Sequence, residues 1–461
     1  MPGRLAAVRS RCLPCFDTGS PRASFLAVPA TRPSPTIERA VLRNGLRVLA
    51  VPDRSSPLVG VAVVYDVGFR SEPEGRTGFA HLFEHLMFQG SANVAKVEHV
   101  RLVEAAGGLF NGHTMSDLTA YYEVLPSGAL ELALWLEADR MAAPAVTEEN
   151  LANQISVVEE EIKVNVLNQP YGGFPWIVLP GLAFDTYPNA HNGYGDFSHL
   201  EEASVDDAVR FHSSYYAPAN AVLAVAGDCE PDEVFALAER FFGPIASSEA
   251  PSHGPYSEPP LARERRKVID DPLAPQPAFA VGYRAPDPVG ALDRHLAHAV
   301  AASVLGDGDA SRLRVRLMHK DHLVTDVGCS LGVFGGDSVV MRDPVLFRVV
   351  VHHPGVASND ALLEAIDEEL ERLGGHGAEP GELERVKASF AGGFWKGVDS
   401  VMERSISLAS FEVVHGRAEL LYELPERYSA VTPDELAAAA ADLARQSRAV
   451  VEIKPAKGAS R

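Results

Sequence analysis

No run of 18 apolar residues occurs anywhere in this 461-residue chain, so no segment of it is expected to cross a bilayer as a helix. Cysteine is scarce as well. Cys12, Cys15, Cys229 and Cys329 are too few for a disulfide framework at this length, and they suit a reducing, cytoplasmic compartment. Cys12 and Cys15 form a C-x-x-C, but it has no second pair beside it to complete a zinc site. Positive charge is the third shortage: 41 Lys and Arg stand against 62 Asp and Glu, a formal net charge of −21. A nucleic-acid partner is thereby excluded, since phosphate neutralisation needs a basic face. An acidic surface attracts basic peptides at long range, although it also serves simply to keep a protein soluble.

What is present is an ordinary globular composition, 46% hydrophobic and 22% charged, with enough length for at least two domains. Residues 1–36 carry Arg4, Arg9, Arg11, Arg22 and Arg32 against the single acid Asp17, and they contain no continuous apolar core. They are expected to be a disordered tail, with an organelle-targeting segment as the other reading. Strands are expected at "VLRNGLRVLAVP", "VGVAVVYDVG" and "AYYEVLP", and a buried strand at 221–227. Helical spacing marks 78–88, 95–106, 127–142 with Ser127 as its cap, and 148–166. Residues 244–266, rich in Pro and Ser, interrupt all periodicity and read as a linker.

Beyond the linker the element order recurs. Strand "AFAVGYRAP", helix "DRHLAHAVAASVL", strand "VLFRVVVHHPG" and helix "NDALLEAIDEELERL" precede "TPDELAAAAADLARQSRAVVEIKP". That last stretch echoes "SVDDAVRFHSSYYAPANAVLAVAGD" at an offset of about 228 residues. The fold class expected is therefore α+β, built from two homologous halves. The halves are 37–243 and 267–461, and only the first holds the chemistry, because "HLAHAVAASVL" has no glutamate to match HLFEH.

The chemistry centres on "GFAHLFEHLMFQGS". Residues four apart share a helix face, so His81 and His85 can aim two imidazoles at one point, with Glu84 leaning beside it. Two imidazoles and a carboxylate suit zinc, and H-x-x-E-H is the inverted order of the zincin motif. A half-exposed helix whose polar groups merely solvate is the other reading of these five residues. In "NQISVVEEEIKVN", one of Glu159, Glu160 and Glu161 can face the same way as Ile155, Val158 and Ile162; alternatively all three form a solvated acidic face.

Three blocks, "DVGFRSEPEGRTGFAHLFEHLMFQGS", "GGLFNGHTMSDLTAYYEVLP" with "LELALWLEADRM", and "NQISVVEEEIKVNVLNQPYG", occur in a telling order and spacing. Through them the chain resembles the pitrilysin-type (M16) metallopeptidases, in particular the bacterial processing-peptidase-like (M16B) members, over nearly all of residues 38–455. The resemblance implies two α/β-sandwich halves, each a mostly antiparallel sheet flanked by helices, closing as a clamshell. It implies His81, His85 and Glu161 as ligands of Zn2+, Glu161 being chosen over Glu160 by its spacing of about 76 residues from the second histidine. Glu84 is implied as the water-activating base of a zinc endopeptidase acting on peptides or unfolded segments. Asn111 matches an N-[AG]-x-T segment on an edge strand beside bound peptide, and Arg348 matches a substrate-binding arginine of the second half.

Three departures accompany the match. Gln154 stands where some members have a second, supporting glutamate, so the orientation of the ligands is expected to be weaker. His113 occupies a position that is usually small and is expected to face solvent. No tyrosine follows Arg348, which points to a heterodimer with a zinc-less homologue, or else a homodimer. A non-catalytic structural subunit, like the core proteins of respiratory complex III, is the competing class, but such subunits usually lose one or more of the four site residues that are all present here.

Overall fold

The structure, a computed structural model, describes residues 35–455 except 247, 250, 255, 335 and 336. The arginine-bearing segment with Cys12, Cys15 and Asp17 lies outside the described residues.

The first half opens with the hairpin β1 (Glu38–Val41) and β2 (Arg47–Pro52), followed by β3 (Leu58–Tyr65), α1 (Phe79–Leu86) and α2 (Glu98–Ala105). The hairpin β4 (Leu109–Thr114) and β5 (Thr119–Pro126) leads into α3 (Leu130–Ala142) and α4 (Glu148–Ile162), which runs on as a π-helical turn over Lys163–Leu167. Three short helices come next: α5 (Val178–Ala183), α6 (Tyr187–Ala190) and α7 (Phe197–Glu201). The half ends with α8 (Val205–Tyr215), β6 (Ala221–Gly227) and α9 (Pro231–Phe241). Its sheet has the order β1-β2-β6-β3-β5-β4, with β2 and β6 parallel and the other neighbours antiparallel. β3 and β6 read as unbroken apolar runs because both faces of the sheet are covered there.

The second half contains β7 (Arg265–Asp271), β8 (Ala278–Ala285), α10 (Leu292–Gly306), β9 (Asp326–Gly332) and β10 (Val345–His352). Five helices follow: α11 (Asn359–His376), α12 (Glu382–Val398), α13 (Val401–His415), α14 (Leu420–Ala430) and α15 (Pro433–Arg445). β11 (Ala449–Pro455) completes the half. Its order, β7-β11-β8-β10-β9, is that of β2-β6-β3-β5-β4, again with one parallel pair, β7 with β11. The repeat extends to the caps. Ser204 and Thr432 each close a capping box at the start of the helix that leads into the parallel-paired interior strand of its sheet, β6 and β11. The structure is thus the expected α+β pair of sandwiches, with mostly antiparallel sheets flanked by helices.

Each half lends a helix to the other. α13 crosses β3, β6 and β5 of the first sheet, while α5 lies on β7, β8 and β11 of the second. The approach of α13 needs Gly60, where an added Cβ would sit 2.4 Å from the Val401 carbonyl oxygen. One apolar core accordingly joins Leu49, Ala62 and Val64 to Phe279, Phe347 and Leu408. The other core, under the opposite face of the first sheet, packs Val61, Val63 and Tyr65 against Phe79, Phe83 and Leu134. Ion pairs tie the seam: Asp53 to Arg404 at 2.6 Å and Asp66 to Arg342 at 2.7 Å.

Some elements differ from expectation. Ser127 does not cap α3; its hydroxyl donates to Asp228 at 2.8 Å, and the helix starts at Leu130 without a side-chain cap. β7 opens at Arg265, inside the stretch read as linker. No helix among the described residues is long and apolar enough to cross a membrane.

Candidate active site

α1 is amphipathic in a particular way. Phe79, Leu82, Phe83 and Leu86 are buried in the core of the first half, which leaves His81, Glu84 and His85 as a polar stripe toward α4. The start of the helix is closed by Glu72, a buried carboxylate that accepts from the backbone N–H groups of Gly78 (2.9 Å) and Ala80 (2.8 Å). A carboxylate suits the positive end of the helix dipole. α4 is capped by Thr147 and anchored by Leu151, Val158 and Ile162, and this rotation leaves Glu161 only partly covered, facing α1.

The expected ligands come together. His85 Nε2 lies 3.2 Å from one Glu161 oxygen, and His81 Nε2 lies 3.8 Å from the other. One donor atom from each residue falls within 4.8 Å of the others, and among the described residues the group has no fourth member. Ligands about 2.1 Å from one tetrahedral cation are about 3.4 Å apart, so three corners are matched and one remains for solvent or substrate. The donor set, two imidazoles and a carboxylate, fits a divalent cation of zinc type.

Electrostatics agree with that use. Burial, helped by the nearby His85, holds His81 down to about 4, so its imidazole is neutral and able to ligate. For His85, burial is outweighed by the hydrogen bond and charge of Glu161, and the pKa is raised. Glu161 is lowered in return, chiefly by that hydrogen bond. Gln154, buried on α4, donates its side-chain amide to Asn153 at 2.8 Å and adds only slightly to the upward shift of His85. His81 Nδ1 is buried without a partner.

Glu84 stands apart from the three. Thr114 donates to it at 2.7 Å, and burial raises its pKa, a favourable setting for a carboxylate that must take up a proton. Thr114 belongs to β4, the edge of the first sheet, and a Cβ on Gly112 would come within 3.3 Å of Glu84. The strand edge therefore runs directly past the carboxylate. Asn111 is exposed on that edge, its side chain accepting from the Gly112 N–H at 2.9 Å.

Arg348 is not brought into the group. From β10 it donates to the Val333 carbonyl (3.2 Å) and the Ser330 hydroxyl (3.3 Å), and burial pushes its pKa down to about 10. His113 also departs from expectation. Its ring packs beside Tyr122, 5.7 Å between centroids, rather than facing water, and burial lowers it to about 4. The second half covers that face of β4, which a strand pattern alone does not reveal.

Tyr194 went unnoticed in the sequence. Its ring meets His81 edge-on at 6.0 Å and Phe334, from the second half, at 5.0 Å. Gly195 at φ 75° allows the approach, since a Cβ there would lie 2.5 Å from the Gly78 nitrogen. The Gly-Tyr-Gly spacing was the available signal. A second cluster, His99 with Glu123 (2.7 Å) and Glu137, is fully buried. Arg140 bonds Glu137 there and lies over the Tyr121 ring at 4.4 Å, so a cation is already in place and the cluster is a core polar network.

The chain matches two family models: Insulinase (Peptidase family M16) over residues 47–172, and Peptidase M16 inactive domain over residues 202–390. The chain belongs to peptidase family M16. Among relatives of this M16 chain, the zinc protease PqqE of Helicobacter pylori is 28% identical over 374 residues, covering 79% of this chain and 81% of the relative. The uncharacterised zinc protease YmxG of Bacillus subtilis is 26% identical over 423 residues, 91% of this chain and 98% of the relative. A crystal structure of a protease from Helicobacter pylori superposes with a TM-score of 0.83 at 25% identity, covering 92% of this chain and 100% of that one. A peptidase M16 inactive domain from Pseudomonas fluorescens shares the fold, with a TM-score of 0.80 at 18% identity over 91% of this chain and 98% of that one.

Proposed function

We propose that this M16 chain is a zinc-dependent endopeptidase that hydrolyses peptides or unfolded segments. The convergence of His81, His85 and Glu161 on one point, with Glu84 held beside it by Thr114, carries the reading. Zinc held by those three residues supplies Lewis acidity to a carbonyl and acidifies water. Glu84 accepts the proton of the attacking water and returns it to the leaving amine, which its raised pKa favours. The peptide lies along the open edge of β4, where main-chain hydrogen bonds beside Asn111 hold it extended. Arg348 reaches substrate only by releasing Val333 and Ser330.

A heterodimer with a zinc-less homologue is the partner reading, supported by the absence of a tyrosine after Arg348 in that segment. Full activity of the purified chain at monomer mass contradicts it. The cytoplasm is the proposed compartment, on the low cysteine count. Two measurements test the function: zinc by atomic absorption, and cleavage of a peptide panel before and after Glu84→Gln. One zinc per chain and activity lost with zinc retained is the expected result. Unchanged turnover in Glu84→Gln defeats the mechanism. A chain holding no stoichiometric zinc is instead a non-catalytic structural subunit.

A further inference from the structure

A chain of rings runs from the second half to the ligands. Phe334, two residues beyond β9, meets Phe69 at 4.9 Å between centroids and Tyr194 at 5.0 Å, and Tyr194 in turn meets His81 at 6.0 Å. The backbone around Tyr194 is equally fixed. Its N–H donates to the Asn192 side-chain oxygen at 3.0 Å, and a glycine stands on either side of it. A Cβ on Gly193 would lie 2.3 Å from the Phe69 ring, and one on Gly195 would lie 2.5 Å from the Gly78 nitrogen at the start of α1. Packing from both halves thus holds Tyr194 at the base of the helix that carries His81 and His85.

What is held there is an unspent donor. The Tyr194 hydroxyl makes no hydrogen bond among the described residues, and it is not one of the buried unpaired groups, so it is open to solvent. Burial and the nearby charge of Glu161 raise its pKa, which keeps its proton in place. The other donors beside the ligands are occupied: Thr114 gives its hydroxyl to Glu84, and Gln154 gives its amide to Asn153. Peptide hydrolysis calls for such a donor. As water adds to a carbonyl carbon, the C=O electron pair moves onto the oxygen, and a preorganised hydrogen bond to that oxygen lowers the barrier. We propose that Tyr194 is a catalytic residue, its hydroxyl donating a hydrogen bond to the scissile carbonyl oxygen as water adds to the carbon. Glu84 takes the proton of that water and passes it to the amine as the C–N bond breaks. The carbonyl then re-forms, and Tyr194 keeps its own proton throughout. The inference rests on the peptidase reading and adds to it a residue of this chain, so the donor does not depend on a partner subunit.

The test uses the full zinc-loaded chain and Tyr194→Phe, which keeps the ring against His81 and Phe334 and removes only the hydroxyl. The expected result is a kcat about 10²-fold lower with KM within about twofold. Zinc content by atomic absorption and the unfolding temperature should not change. The second readout is binding by calorimetry. A phosphinic peptide, whose tetrahedral anionic centre resembles the transition state, should bind Tyr194→Phe about 10²-fold more weakly than it binds the unmutated chain. The matching substrate peptide should bind Glu84→Gln equally well with and without Tyr194→Phe. Unchanged kcat or unchanged affinity for the phosphinic peptide in Tyr194→Phe overturns the proposal. So does a loss of zinc that matches the loss of turnover, since the hydroxyl would then be holding a ligand in place. The two readings fail separately: an unmutated chain without turnover sinks both, whereas cleavage that is equal with and without the hydroxyl sinks the Tyr194 proposal alone.

Discussion

Two helices in equivalent places, α1 and α10, both carry a pair of histidines, and the two pairs do opposite things. His295 donates from Nδ1 to the Pro286 carbonyl at 2.9 Å, and its Nε2 accepts from the Ser338 hydroxyl at 2.9 Å. His298 donates to the Arg294 carbonyl at 2.8 Å, with Asp442 at 3.6 Å from its other nitrogen. Both ring nitrogens of His295 are thus bonded inside the fold, and the outer nitrogen of His298 is buried beside Asp442 beyond hydrogen-bond distance. His81 and His85 instead turn both Nε2 atoms toward Glu161, which α4 alone can provide. A histidine in a buried helix thus becomes a ligand through what faces it across the packing interface, and the helix sequence decides only which way it points.

The comparison can be broken in order of expected effect. Glu84→Gln should lower peptide turnover by about 10²–10⁴-fold with zinc content unchanged, measured by steady-state kinetics beside atomic absorption. His81→Ala should abolish stoichiometric zinc and leave the unfolding temperature of the metal-free chain unchanged or higher, because His81 Nδ1 is an unpaired buried group in the native protein. His295→Ala should do the reverse. Zinc stays, while calorimetry records a loss of about 2–3 kcal/mol, since Ser338 and Pro286 lose a buried partner. If the two alanine variants behaved alike, the contrast between the halves would fail.

The smallest effect lies at the seam. The hydrogen bond from Arg404, then that from Ser55, holds Asp53 down to about 2 from its ordinary 3.8. A folded-state pKa below the unfolded one stabilises the protein above about pH 4, and this is lost as the pH falls toward 2. Because the pair is partly solvated, Asp53→Asn should cost about 1 kcal/mol at pH 7 and almost nothing at pH 2, by denaturant titration.

His81, Glu84 and His85 are legible in sequence because one helical turn sets their geometry. Glu161 is 76 positions beyond His85, and periodicity alone could not separate it from Glu159 and Glu160; family spacing did. Glu72 and Tyr194 were not legible, since tertiary packing delivers one to the start of α1 and the other to the His81 ring. Among the elements, β3, β6 and the capped helices announce themselves. α12 and α14 do not, because glycines at 392, 393 and 397 and Pro425 blur the helical pattern that packing restores. His113 was misread for a related reason: its strand has a partner on one edge only, and the cover over its face comes from far along the chain.

The reciprocal placement of α5 and α13 has a mechanical consequence. Because each half is finished by a helix that enters from the other side, the peptide connection at 246–264 is not what keeps them joined. A chain nicked within that stretch should still elute from a sizing column as one particle, whereas either fragment produced alone would leave a sheet face bare and collect as aggregate.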